Sequence, residues 1–425
     1  MIRERELLKK ITLRLIPFMF ILYIVAYLDR VNVSYAALQM NAALGFSAEV
    51  YALGAGIFFI GYFLFEVPSN LILHRVGARI WMARILVTWG ILSAAMMFAQ
   101  GALSFYVLRF LLGVAEAGFF PGMILYLTYW FPSHARGRAV ARFMTATAIA
   151  GVVGSPISGL LLQMKGVGGL DGWQWLFLIE GIPAVVLGIV TLIYLPDGPN
   201  RAKWLTPDEK KWITTTLERE RQETVSDGDH SIRAAFRSAR VWTFAAIYFA
   251  VIMSFYGVTF WLPQIVQAFS GATDLVVGLI SAVPWVGATI GMVLLSRSSD
   301  AKGERRRHVA FSALAGAAGL IAAGLLHNPI LELTALSLAA VGIWGTLGPF
   351  WALSSETLAG TGAAAGIALI NSVGNLGGFL GPYLIGWIRT RTESFAIALI
   401  CLAMFPLAGA AITLLSRHTL SRLRS

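Results

Sequence analysis

The sequence predicts an all-α membrane protein of twelve transmembrane helices arranged as two similar sets of six, with both chain termini on the cytoplasmic side. Three observations carry this. Of 425 residues, 57% are hydrophobic and only 13% charged, about half the charged share of a soluble domain. The apolar stretches are each long enough to cross a bilayer core, which takes roughly 20 helical residues. Landmarks in the first half recur in the second at one constant offset.

Taken in order, the apolar runs fall near 15–38, 50–73, 80–100, 103–130, 139–164 and 173–195, then 241–268, 274–296, 308–326, 330–354, 362–388 and 395–415. Each ends at charged residues or at Gly/Pro breaks. The basic start (Arg3, Arg5, Lys9, Lys10, Arg14) precedes a run too long for a signal peptide, so it reads as a retained first span. At the span ends and beyond them, even without the long central stretch, Lys and Arg number 19 in the N-terminus, the C-terminus and alternate loops, against three (Lys165, Arg389, Arg391) in the others. This excess sets the 19-residue side as cytoplasmic. It also accounts for the net charge of +11 without nucleic acid.

The polar stretch 196–239 divides the chain into an N-terminal six-helix domain (1–195), a cytoplasmic linker and a C-terminal six-helix domain (240–425). Within the linker, Thr206-Pro-Asp-Glu209 has the form of a helix start with Pro in the first turn and a capping carboxylate three residues on. A charged surface helix to about Arg221 follows. The pairs Ile16/Trp242, Arg79/Arg305 and Pro156/Pro382 each differ by 226. Two such repeats facing one another enclose a site near the bilayer midplane.

Several chemistries are excluded. One cysteine, Cys401, gives neither a disulfide framework nor a thiolate metal site. There is no H-E-x-x-H and no G-x-x-x-x-G-K-[ST], so neither a zinc centre nor a nucleotide loop is present. No cofactor is expected, and the longest polar stretch is too short for an enzymatic or signalling domain.

Charges inside the bilayer are the functional candidates, because each costs at least about 2.5–3.5 kcal/mol to insert. Asp29, Arg30, Glu66, Arg109, Glu116 and Glu180 lie within spans of the first half. Asp29, Arg109 and Glu116 fall at similar depth, and Arg109 and Glu116, seven apart, share a helix face. Packing the first and fourth spans together brings Arg30 and Asp29 to them. In this reading Arg30 holds a carboxylate through its rigid fork, Asp29 and Glu116 take and release protons, and Arg109 either joins the site or pairs with one of the acids. Glu66, beside Pro68, reads as a structural partner of Arg75 or Arg138, and Glu180 reads likewise as structural. Tyr27 and Tyr62 are placed to bond a substrate. From the second half, Tyr256, Trp261, Gln264, Trp351, Ser354, Asn371 and Asn375 are candidate contacts, with helix-to-helix bonding the competing role.

Longer blocks point to a family. Tyr27-Leu-Asp-Arg-Val-Asn32, Glu66-Val-Pro-Ser-Asn-Leu-Ile-Leu-His-Arg-Val-Gly-Ala-Arg79, Arg109-Phe-Leu-Leu-Gly-Val-Ala-Glu-Ala-Gly-Phe-Phe-Pro-Gly122, Trp130-Phe-Pro and Trp175-Leu-Phe-Leu-Ile-Glu-Gly-Ile-Pro183 cover the first half. With these the chain resembles the major facilitator superfamily, and within it the anion:cation symporters, which include tartrate, sugar-acid and phthalate permeases. The resemblance implies a monomeric, proton-coupled symporter of a bacterial inner membrane that imports a small organic anion such as a hydroxy-dicarboxylate or sugar acid. An aromatic carboxylate as substrate, or an uncoupled facilitator or exporter, are its alternatives. It also implies a gating loop after the second span, Arg75, Gly77 and Arg79, repeated after the eighth as Asp300, Gly303 and Arg305. The first copy departs from the family pattern, carrying His74 where an acid belongs.

Overall fold

The computed structural model describes residues 4–133, 135–136, 139, 145–225, 236–358 and 363–416. Arg138, the alternative partner expected for Glu66, and the C-terminal arginines lie outside them. Among the described residues the regular structure is entirely helical. The helices are α1 (Glu4–Leu44), α2 (Ala48–Val76), α3 (Ala78–Ala95), α4 (Ala102–Glu116), α5 (Phe119–Thr128), α6 (Ala146–Leu161) and α7 (Gly172–Tyr194), then the linker helix α8 (Pro207–Val225). The second half gives α9 (Ala239–Ser270), α10 (Asp274–Lys302), α11 (Arg306–Leu325), α12 (Pro329–Thr357), α13 (Ala363–Thr392) and α14 (Phe395–Leu415).

Among the described residues, eleven segments are long and apolar enough to cross a membrane, α4 and α5 counting as one. The eleventh expected span, near 362–388, corresponds to the 30-residue helix α13. Side chains such as Leu103, Ile193 and Ile330 remain exposed on the outside of the bundle, as a lipid-facing surface requires.

The linker helix follows its sequence signals closely. The Thr206 backbone N–H donates to Glu209 Oε2 at 2.8 Å and the Glu209 N–H donates to Thr206 Oγ1 at 3.3 Å, a reciprocal cap. The helix is pinned to the first half by Lys10 Nζ with Glu209 at 2.7 Å and by the Ser133 N–H with Glu220 at 3.0 Å. Just ahead of it, Trp204 stacks on Trp130 at 5.5 Å.

The fourth span departs from expectation. Rather than one continuous helix it breaks after Glu116, where Gly118 adopts φ 85°. That left-handed conformation favours glycine, and a Cβ there would sit 2.3 Å from Ser69 Oγ. The break ends α4 on an ionisable side chain, freeing backbone groups where a charge is buried. Upstream, α4 crosses α2 at backbone distance: a Cβ on Gly113 would fall 2.0 Å from the Phe58 carbonyl oxygen.

The halves meet along α2 with α13, α6 with α10 and α1 with α9. At the end away from the linker they are tied by Gln39 Nε2 to Asp274 Oδ2 at 2.6 Å, Tyr51 O–H to the Phe260 carbonyl at 2.6 Å, and Tyr383 O–H to Glu49 at 3.3 Å. Arg391 reaches Glu49 at 3.8 Å.

Candidate substrate and proton site

The offset of 226 locates the centre of the molecule. Arg30 of α1 and Tyr256 of α9 differ by this number, and Arg30 Nη1 donates to the Tyr256 hydroxyl at 3.1 Å. A residue and its repeat counterpart touch only where the axis relating the repeats passes between them. That axis therefore passes beside Arg30, which belongs to the first half and bonds across to the second.

The other edge of the guanidinium is committed to Glu116 at the broken end of α4. Arg30 Nε donates to Glu116 Oε1 at 3.1 Å, and Nη2 forms a close contact with the same oxygen. Arg30 is 9% and Glu116 1% exposed, and Glu116 Oε2 has no hydrogen-bond partner. Phe58 and Tyr62 of α2 flank the guanidinium, their ring centres at 5.6 and 5.5 Å. Phe59 packs on Tyr256 at 4.4 Å. The site is thus a cation held between an acid and aromatic faces, dry enough for charge-assisted bonds to count strongly.

Two expected members of this cluster lie elsewhere. Asp29 is turned away from Arg30, as successive residues on a helix must be, and faces α3. Trp89 Nε1 donates to Asp29 Oδ2 at 2.8 Å and Ser93 O–H to Oδ1 at 2.7 Å. Arg109, fully buried, pairs with neither acid. Its Nε and Nη2 donate to the carbonyls of Gly54 and Ala55 on α2, both at 3.2 Å, and Phe58 stacks on it at 5.0 Å. The close crossing at Gly113 brings those carbonyls within its reach.

Among the described residues Glu66 forms no ion pair. It lies one turn beyond Tyr62, and Asn371 Nδ2 of α13 donates to its Oε1 at 3.3 Å across the interface between the halves. Arg75 is exposed. Asn375 lies half-buried one turn beyond Asn371. Tyr27 is buried, edge-on to Trp285 at 5.8 Å, and Trp351 packs against Tyr248 at 4.9 Å.

Trp261 and Gln264 stand away from Arg30, five and eight residues along α9 from Tyr256. Trp261 is fully buried, its Nε1 donating to the Pro382 carbonyl at 3.0 Å, a helix-packing role. Gln264 Oε1 accepts from Asn41 Nδ2 at 3.4 Å and from Arg389 Nη1 at 3.5 Å, among the ties at the end away from the linker.

The loop between α2 and α3 is completed by an acid that the sequence pattern did not mark. Gly77, at φ 98°, turns α2 into α3, and Asp197 after α7 accepts from the Arg79 backbone N–H at 3.2 Å and faces Arg79 Nε at 3.7 Å. Asp197 thus supplies the carboxylate missing at His74. In the second copy, Arg305 binds Asp300 at 2.5 Å and Glu356 at 3.3 Å, with Gly303 at φ 61°.

Comparison with known proteins follows the same line. The sequence profile described as Major Facilitator Superfamily matches residues 19–382. The chain is similar to the "Putative tartrate transporter" of Agrobacterium vitis, 52% identical over 98% of this chain and 96% of that one. It is also similar to the quinolone resistance transporter of Acinetobacter baumannii, 43% identical over 99% and 96%. Among solved structures, a bacterial homolog of the human lysosomal transporter Spinster, inward-facing and unoccupied, superposes with a TM-score of 0.79 at 16% identity, covering 98% of both chains.

Proposed function

The chain belongs to the Major Facilitator Superfamily, a multi-pass membrane transporter and not an enzyme, and we propose that it imports a small organic anion together with protons across the inner membrane. The observation that carries this reading is the Arg30–Glu116 pair beside the axis between the halves. A transported anion needs a cation that both halves reach in turn, and coupling needs an acid that competes for that cation. With Glu116 ionised, its carboxylate occupies the Arg30 fork. With Glu116 protonated, the fork is released to a substrate carboxylate.

In this cycle Tyr62, Tyr256, Asn371 and Asn375 complete the contacts around the anion, and Asp29 is a second proton carrier behind the site. Arg109 positions α2, which carries Phe58, Tyr62 and Glu66. The 1–195 and 240–425 units rock about Arg30, the Asp197–Arg79 and Asp300–Arg305 clusters gate the linker side, and the chain acts as a monomer. The ties at the end away from the linker support an inward-facing assignment. A hydroxy-dicarboxylate such as tartrate is the first substrate to test, supported by the similarity to the tartrate-named relative.

The test is uptake of radiolabelled tartrate, sugar acids, phthalate and hydroxybenzoates into proteoliposomes with and without an inward proton gradient. Accumulation of one carboxylate class, driven by the gradient and lost in Arg30→Ala, is the expected result. Transport indifferent to the gradient removes the coupling. Efflux of a quinolone, the reading favoured by the Acinetobacter relative, would replace import by export on the same scaffold.

A further inference from the structure

Glu180 is a buried acid that the cycle above leaves without a task. It projects from α7 towards α1 and α6, where Ser158 O–H donates to its Oε1 at 2.7 Å. Asn32 of α1 stands between it and Asp29: its Nδ2 donates to Asp29 Oδ1 at 3.4 Å, and its side chain also faces Glu180. Asp29 is 0% and Glu180 6% exposed, and neither forms an ion pair among the described residues.

Glu116 acts on Asp29 electrostatically from α4, and the other groups facing this cluster are neutral. Tyr35 on α1 lies within electrostatic reach of Glu180 and bonds Ser155 of α6. From α3, Trp89 and Ser93 bond Asp29. Two carboxylates joined through one amide, with no cation and no water-exposed edge, cannot both hold a negative charge. The hydrogen bonds agree, since the atoms left without a partner, Asn32 Oδ1 and Glu180 Oε2, are both acceptors. A proton on Glu180 supplies a donor that the cluster lacks.

Position gives the pair a direction. Glu180 lies eight residues into α7, roughly 12 Å from its start, whereas Asp29 lies fifteen residues, roughly 22 Å, from the end of α1 on the same side. By the Lys/Arg distribution this is the outer side. We propose, resting on the reading of Asp29 as a proton carrier, that Glu180 is a further proton-binding residue of the transport cycle, receiving the proton nearer the outer face and passing it to Asp29. In the transfer the Glu180 carboxyl loses its proton and becomes the carboxylate, and the Asp29 carboxylate gains it. During this transfer the pair holds one proton and one negative charge, with Ser158 or Trp89 and Ser93 donating to whichever member is ionised; a second proton from the outer side reloads Glu180 before Asp29 releases its own, so the pair is never doubly charged.

The test compares full-length wild type, Glu180→Gln, Glu180→Asp and Asp29→Asn reconstituted in lipid. Infrared difference spectra of each variant against wild type, taken at pH 5 and at pH 9, read protonated carboxyl groups without any substrate. Loss of one protonated-carboxyl band in Glu180→Gln, and its return in Glu180→Asp, is expected; a Glu180→Gln spectrum identical to wild type overturns the proposal. In tartrate uptake, Glu180→Gln should keep exchange but lose the gradient-driven component and flatten the pH profile. If Asp29→Asn flattens the profile and Glu180→Gln does not, Glu180 alone is removed. If Asp29→Asn leaves the profile untouched, the reading of Asp29 fails first, and the infrared result still decides whether Glu180 binds a proton.

Discussion

Replacing Glu116 with Gln tests the competition on which the proposed coupling rests. In the structure Arg30 directs both Nε and Nη2 to Glu116 Oε1, so an incoming carboxylate must first displace that acid. A hydrogen bond to a charged group contributes about 1.5–3 kcal/mol net, and every 1.4 kcal/mol is a factor of ten in affinity. Glu116→Gln removes the competing charge while keeping the shape of the side chain. At pH 7.5 the variant should bind its anion about 10- to 100-fold more tightly than wild type. As pH falls through the range where Glu116 titrates, the wild-type acid gains its proton and releases Arg30, so wild-type affinity rises to meet a variant affinity that stays flat. Equilibrium binding of labelled anion to detergent-purified protein at pH 5.5 and 7.5 measures both slopes, and vesicles loaded with cold anion separate exchange, which should survive, from uphill uptake, which should not. Equal or weaker binding by the variant at pH 7.5 would refute the competition, since Glu116 would then be helping to hold the anion.

Arg30→Ala should abolish anion binding and, by stranding a buried carboxylate, lower stability by about 3–5 kcal/mol; chemical denaturation of Arg30→Ala beside the Arg30→Ala/Glu116→Gln double variant should show most of that loss returning without binding. Trp261→Phe leaves the Pro382 carbonyl unpartnered and should cost about 1–3 kcal/mol in the same assay, with an uptake KM unchanged from wild type; a large KM increase would return Trp261 to the substrate site. Gly118→Ala places a Cβ against Ser69 in a left-handed backbone conformation and should cost about 1–3 kcal/mol, with a lower maximal transport rate if the break after Glu116 positions that acid. A fully stable, fully active Gly118→Ala would show that the break tolerates repair.

How much of this was legible depended on whether position along one helix sufficed. Depth counting placed Arg30 and Glu116 at one level, and they meet; the capping signal at Thr206 and Glu209 fixed the start of the linker helix to the residue. What failed was rotation about a helix axis. Asp29 and Arg30 are neighbours in sequence, yet a step of about 100° between adjacent residues sends one to α3 and the other to the axis. Arg109 and Gln264 failed for a related reason: their partners are backbone carbonyls and amide side chains on other helices, which no periodicity marks. The break in the fourth span did leave a trace, since Gly118 and Pro121 flank it, but a continuous apolar run concealed it. Asp197 carried no signal in the sequence because its partner, Arg79, lies 118 residues away.

The separation of the two acids changes what coupling demands. Had Asp29 and Glu116 both bonded Arg30, one proton could release the anion site and the second acid would be redundant. In the structure only Glu116 bonds Arg30, while Asp29 sits in its own shell of Trp89 and Ser93 with Asn32 and Glu180 behind it. An acid that holds a proton without touching Arg30 can stay loaded while the anion is bound or absent. It therefore influences transport through the packing of α1 on α3 and α7, and hence through where α1 presents Arg30, rather than through occupancy of the fork. On this division, neutralising Glu116 alters affinity directly, whereas neutralising Asp29 alters the pH dependence of transport with affinity at the fork retained. Matching affinity changes in the two variants would mean that the acids act as one site.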